Sequence, residues 1–249
     1  MCSLVFGLDV LGAGSVILAT NRDEDPARGS QGPQVLRGSP LVVGGRDVVA
    51  GGTWLAIRAA HGGREAGVAM LLNRFDPEPG QAGRRSRGLL TLDVAASDDP
   101  RAAAMAEAAT KRYAPCSLVW LSPSESWLLA IRHWEAPTLD PIVPGWHALA
   151  HFELDDPVDP RTSWLASRLA GFAPKSREKA EAGLHALVAF HGSDEAPAVC
   201  LHEGRAPTVS SARLWIAPGE VRYQHAAGRP CTTEFQDWTT LLAGSRAGR

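Results

Sequence analysis

The chain has no excess of either charge, no long apolar run and few cysteines, and each shortage removes a class of function. A formal net charge of -2 over 249 residues gives no electrostatic footing for nucleic acid or an anionic membrane. No uninterrupted apolar stretch is long enough to span a bilayer. The first apolar run lacks a basic region ahead of it and is cut short by the charged segment NRDED, Asn21 to Asp25, so it is a poor signal peptide. The four cysteines, Cys2, Cys116, Cys200 and Cys231, are scattered and show no paired metal spacing. They read as reduced thiols in a cytoplasmic protein, with no metal and no resident cofactor expected. The G-x-S-x-G elbow, the phosphate-binding loop and the CxxC pair are missing. Gly12-Ala13-Gly14 lacks the third glycine of a dinucleotide turn and leads into a strand. There is no internal repeat and no low-complexity block.

What remains is an ordinary globular composition, 45% hydrophobic and 21% charged, with ample material for a core. Nothing divides the chain, and β-rich single domains reach this length, so residues 1–249 are expected to form one domain. The oligomeric state is not set by the sequence.

The organised chemistry lies at the start. Cys2 follows Met1 directly, and a small second residue favours removal of the initiator. The new terminus would carry thiol and free amine on one carbon. An α-amine titrates at ~7.7–8.0 and a free thiol near ~8.5, so proton transfer between them is nearly balanced. A cysteine or threonine paired with its own terminal amine is one known solution to nucleophilic catalysis. The alternative is that Cys2 is a small buried hydrophobe opening a strand. Cys2 to Val10 reads as a strand, Leu11 to Gly14 as a turn and Ser15 to Thr20 as a second strand. Paired as a hairpin, they return Asn21, Arg22, Asp23 and Glu24 to the side of Cys2. A guanidinium there would favour thiolate, and a carboxylate would orient the amine.

MCSLVF followed by NRDE resembles the NRDE family, which includes the transport and Golgi organisation 2 proteins and is similar to N-terminal-nucleophile (Ntn) hydrolases of the choloylglycine hydrolase and penicillin acylase kind. AGGTWL (Ala50 to Leu55), LLNRF (Leu71 to Phe75), SRG (Ser86 to Gly88) and TVSS (Thr208 to Ser211) follow as family landmarks in order. The resemblance implies an α+β fold, a four-layer αββα sandwich of two antiparallel sheets. It also implies an oxyanion donor at Asn73, ending the strand Gly67 to Leu72, since an Asn in a similar LN segment of the hydrolases helps hold the tetrahedral intermediate. Loss of one such donor costs about 10²–10³ in turnover. Two positions depart from the pattern. His151 stands where the family usually shows a second, Asn donor, and a protonated imidazole or a backbone N–H would have to replace it. Val209 stands where relatives commonly carry an arginine.

Further candidates read both ways. Trp54 is a core aromatic or a wall of the substrate pocket. The glycine pairs Gly44-Gly45 and Gly51-Gly52 mark tight turns between strands or backbone passing close to a ligand. Arg84, Arg85 and Arg87 flank Ser86, a reasonable helix N-cap, and make an anion site or a solvated basic turn. His147 and His151, four apart, would share one face of a strand but lie about 13 Å apart on it, which excludes a zinc pair.

The remaining elements alternate. Gln34 to Leu36 and Leu41 to Val43 are strands; Asp99 to Tyr113 is a helix with Pro100 in its first turn and Lys111 and Arg112 near its end. Cys116 to Leu121, Trp127 to His133 and Trp146 to Phe152 are strands. Thr162 to Ala170, capped by Thr162 or Ser163, and Arg177 to His191 are helices. Ala198 to Leu201, Val209 to Ile216 and Glu220 to His225 are strands, and Phe235 to Leu242 a terminal helix.

These readings point to an N-terminal-cysteine hydrolase acting on a non-peptide amide or thioester of a small acyl compound. Cys2 is the nucleophile, Arg22 and Asp23 position it, Asn73 and His151 hold the oxyanion, and Asn21, Glu24, Trp54, Arg84, Arg85 and Arg87 are expected around the substrate. The rival class, also implied by the resemblance, is a non-catalytic protein binding haem or lipid and acyl-CoA, with Cys2 as ligand or relic.

Overall fold

The computed structural model describes residues 2–81, 83–110 and 113–243. In chain order these form β1 (Ser3–Leu8), β2 (Val16–Asp23), β3 (Ser30–Gly38), β4 (Leu41–Asp47), β5 (Leu55–Arg58), β6 (Gly67–Asn73), α1 (Arg87–Ala96) and α2 (Pro100–Ala109). There follow β7 (Cys116–Leu121), β8 (Ser126–Ile131), β9 (Thr138–Pro141), β10 (Gly145–Leu149), α3 (Pro160–Leu169), α4 (Arg177–Val188), β11 (Thr208–Ala217), β12 (Glu220–Ala226) and β13 (Gln236–Asp237). A 3-10 turn, Thr239–Ala243, ends the described chain. The class is α+β, with two antiparallel sheets and four α-helices among the described residues.

The chain resolves into two compact units. The first comprises residues 2–27 and Val143–Asp237. Its sheet runs β10-β1-β2-β11-β12-β13, so the expected N-terminal hairpin forms its centre. Strands β1 and β2 are buried along their whole length, which explains why they read as near-continuous apolar runs. Alternation still sorts their faces. Val5, Ile17, Ala19 and Ala148 pack against Leu165 and Leu169 of α3 and Ala180, Leu184 and Val188 of α4. Ser3, Asn21 and Asp23 share that parity and lie on the helix side.

The second unit comprises residues 28–142 and 238–243. Its sheet runs β3-β4-β5-β6-β7-β8-β9. Helices α1 and α2 cover it through Leu90, Val94, Ala104 and Ala108, packed with Leu118, Trp120, Trp127 and Leu129. Gly44 and Gly45 lie inside β4 and are not turns. A Cβ on Gly44 would sit 2.1 Å from the Leu55 carbonyl oxygen, and one on Gly45 would sit 2.5 Å from the Trp54 ring. Close approach explains the pair.

Several boundaries differ from expectation. Helix α3 starts at Pro160 with Asp159 as its cap, accepting from Thr162 N at 2.8 Å, so neither Thr162 nor Ser163 caps it. Ser86 precedes α1 but makes no side-chain capping bond. Helix α2 ends at Ala109, and Lys111 and Arg112 lie outside the described residues. Residues 198–201 are not a strand. Val199 N and Cys200 N both donate to Phe190 O, and Val199 O accepts from the Asn21 side chain, which leaves no ladder. The terminal segment is a two-residue strand and a 3-10 turn, not a helix. Strand β9, ending at Pro141, was not foreseen; proline is tolerated there because β9 is an edge. Among the described residues no helix is long and apolar enough to cross a membrane.

Candidate active site

The end of β2 is buried although its sequence is NRD. Asn21, Arg22 and Asp23 are 0, 5 and 2 % exposed, so the segment is core and not a solvated turn. Ser3 pairs with Asn21 across β1 and β2. Continuing that register by one residue sets Cys2 opposite Arg22, on the sheet face turned away from α3 and α4. Cys2 as a residue is half-buried, and its sulfur lies toward the protein. Burial raises its pKa and the Asp23 charge raises it further, while the charge of the chain's terminal ammonium, the Asp23 N–H hydrogen bond to the sulfur and the Arg22 charge favour thiolate. The rise wins, so the resting sulfur is a protonated thiol that needs a base.

Behind it, on the helix side, lies a buried polar lock. Asp23 Oδ1 accepts from Thr208 Oγ1 at 2.7 Å, and Oδ2 accepts from Arg161 Nη1 at 3.3 Å. The same guanidinium nitrogen donates to Ser3 Oγ at 3.2 Å. Helix α3 presents Arg161 in its first turn because Asp159 and Pro160 start the helix there. Asp23 therefore fixes the corner through its carboxylate and touches the thiol through its backbone N–H.

Burial raises Asp23 from 3.8 to about 6, against the opposing pull of Thr208 and Arg161. The sign follows: a folded carboxyl that keeps its proton longer than the unfolded one stabilises the protein most in acid. Below 3.8 both states are protonated; between 3.8 and about 6 the unfolded chain ionises first, so the stabilisation is lost as pH rises. At about 1.4 kcal/mol per unit the loss is about 3 kcal/mol. Urea midpoints of the wild type should fall across that window relative to Asp23→Asn; parallel profiles would show that Asp23 is not buried this way.

His151 joins the same corner. Its Nδ1 lies 3.0 Å from Asp159 Oδ1, and its buried Nε2 has no partner among the described residues. Burial lowers its pKa despite Asp159. The neutral ring then holds its proton on Nδ1, facing the carboxylate, and Nε2 offers a lone pair. In that tautomer Nε2 accepts, and donation to an oxyanion from it would need the protonated ring. Val209 occupies a bulge between the Thr208–Asp23 and Ser210–Arg22 pairs, which gives that departure its place in β11.

The structure redistributes the remaining candidates. Asn21 Nδ2 donates to Val188 O at 2.7 Å and Val199 O at 3.0 Å, so its amide ties α4 to the 199 segment. Glu24 pairs with Arg22 at 3.7 Å. Asn73 ends β6 opposite Cys116 in the second unit, and Trp54, half-buried there, lies over Gly45. The arginine cluster of that unit is used internally. Arg84 binds Asp76 at 2.5 Å; Arg85 binds Asp93 at 2.5 Å and Tyr113 at 2.6 Å; Arg87 donates to Pro115 O at 3.0 Å. The anion site expected there loses its free cations. Arg161 and Ser3 are not marked by the sequence pattern, and Thr208 is marked only as part of the TVSS landmark; the one local signal near Arg161 is the helix start Asp159-Pro160.

A model of the family Transport and Golgi organisation 2 matches residues 1–207, which includes the whole Cys2 corner except Thr208. The chain belongs to that family. No curated protein matches the sequence significantly. Among solved structures, a Caenorhabditis elegans N-acylethanolamine-hydrolyzing acid amidase ortholog superposes with a TM-score of 0.57 at 14% identity, covering 88% of this chain and 94% of that one. That likeness establishes the fold: this Transport and Golgi organisation 2 member has the Ntn-hydrolase architecture.

Proposed function

We propose that the chain is an N-terminal-cysteine hydrolase that cleaves a non-peptide amide or thioester of a small acyl compound. The observation that carries this reading is the Cys2 thiol, opposite Arg22 and hydrogen-bonded by the Asp23 N–H, at the start of a central strand whose other face is locked by Asp23, Arg161 and Thr208. The amidase named for the structural relative supports an acyl-amide substrate class.

Removal of Met1 would give Cys2 its own amine. That amine takes the thiol proton, and the sulfur attacks the acyl carbonyl carbon, forming a C–S bond and a tetrahedral oxyanion. Collapse expels the amine or thiol leaving group with the proton returned by the ammonium. Water then attacks the acyl-cysteine, the terminal amine again accepting a proton, and releases the carboxylic acid and the free thiol. The leaving group and the acid together account for substrate plus one water.

Incubation with N-acylethanolamines, aryl amides and acyl-CoA thioesters, with Cys2→Ala as blank, tests the reading. Release of amine or thiol by the wild type alone is expected. Saturable binding of acyl-CoA or haem without turnover, unchanged in Cys2→Ala, would instead mark a carrier and remove the hydrolase assignment.

A further inference from the structure

Two of the cysteines that look unrelated in sequence meet in the first unit. Cys200 Sγ lies 3.5 Å from Cys231 Sγ, and His202 Nε2 lies 3.2 Å from Cys231 Sγ. The His191 ring stands edge-on to that of His202 with centroids 4.6 Å apart. One ligand atom from each of the four residues falls within 4.8 Å of every other. Zinc bonds of ~2.3 Å to sulfur and ~2.0–2.1 Å to nitrogen at tetrahedral angles set ligand atoms roughly 3.3–3.8 Å apart. The Cys200–Cys231 and His202–Cys231 separations of 3.5 and 3.2 Å are close to that spacing, and an outer limit of 4.8 Å leaves the set to draw in by about 1 Å around an ion.

We infer that His191, Cys200, His202 and Cys231 form a structural zinc site. Two thiols and two imidazoles make the S₂N₂ set that selects zinc over magnesium, calcium or manganese, which take oxygen. Four protein ligands leave no open position for water or substrate, so the ion is a staple and not a catalyst. Binding releases the two thiol protons to solvent, and the two thiolates neutralise the dication.

The backbone holds the ligands in place by bonds of its own. Val199 N and Cys200 N donate to Phe190 O at 2.9 and 2.8 Å, which fixes Cys200 beside the residue that precedes His191. Gly192 turns the chain away at φ +88, where a Cβ would meet Ala198 N at 2.8 Å. Thr232 N and Thr233 N donate to Arg229 O at 3.2 and 2.9 Å, closing the turn that carries Cys231. Arg229 Nη2 donates to His202 O at 3.4 Å.

The site also reaches the Cys2 corner. Leu201, between two ligands, exchanges bonds with Thr208: Leu201 N donates to Thr208 Oγ1 and Thr208 N donates to Leu201 O, both at 2.9 Å. Thr208 in turn donates to Asp23. A zinc ion there would brace the wall against which Asp23 is held, whether or not the chain turns over an acyl substrate.

Elemental analysis of the purified full chain tests the inference. One zinc per chain is expected, and cobalt exchanged into its place should show tetrahedral ligand-field bands with thiolate-to-cobalt charge transfer. Cys200→Ser and His202→Ala should lose the charge-transfer band or the stoichiometry, whereas Cys2→Ser should keep both. A chain free of metal after growth with added zinc, or a cobalt spectrum that survives Cys200→Ser, would overturn the site. An intact mass lighter by two hydrogens, restored by reductant, would overturn it too, because Cys200 and Cys231 would then be a disulfide.

Discussion

Cys2→Ala is expected to lower kcat/KM by about 10⁴–10⁶-fold on whichever acyl amide or thioester the wild type cleaves, the scale on which removal of a covalent nucleophile acts. No neighbour can take its place. Ser3 is the nearest hydroxyl in sequence, but its oxygen is on the helix side of β1 and accepts from Arg161. His151 offers a base and no carbon-attacking thiolate. The same change should barely touch stability, because Cys2 is half-buried and precedes β1 rather than lying within it. Cys2→Ser keeps an oxygen to accept the Asp23 N–H, but a hydroxyl gives up its proton far less readily than a thiol, so activity should stay low. Turnover assays paired with urea midpoints separate the two effects. A Cys2→Ala chain that folds and still turns over places the chemistry elsewhere.

Arg161→Met should cost about 3–5 kcal/mol near neutral pH, the range for breaking a buried ion pair from one side. Arg161 donates to the Asp23 carboxylate, and Asp23 itself is 2 % exposed. Without Arg161 the carboxyl keeps its bond from Thr208 but loses a buried cation beside it, which drives it toward taking up a proton. Its titration, already at about 6, should move higher. The penalty therefore shrinks as the medium is acidified below that value. Urea denaturation of Arg161→Met and wild type at several pH values measures both predictions. A loss that is small, or that does not shrink in acid, would mean the guanidinium is not what balances Asp23.

These two residues show what a sequence discloses. The hairpin carrying Cys2 is legible because two apolar runs bracket a glycine turn, and pairing them forces Asn21 to Asp23 back toward the thiol. Arg161 is not legible, since it contacts Asp23 across 138 positions and nothing in the local pattern marks that partner. The fold class followed from the resemblance and from alternating strand and helix patterns. The segment at 198–201 misled because a short apolar run suits a strand as well as a buried turn. Its carbonyl instead serves the Asn21 amide, a partner on a distant strand. The arginines around Ser86 misled in another way: Asp76, Asp93 and Tyr113, which absorb them, come from three different places in the chain. Cysteine spacing concealed the cluster at Cys200 and Cys231 because a separation of 31 residues resembles no compact ligand motif.

The most direct measurement is the intact mass of the mature protein, quenched at intervals after mixing with an acyl thioester. The expected result is a chain lacking Met1 that gains one acyl group on Cys2 within the first turnover and loses it as the acid forms, with no gain in Cys2→Ala. A chain that retains Met1, or that acquires the acyl group without Cys2, would contradict it.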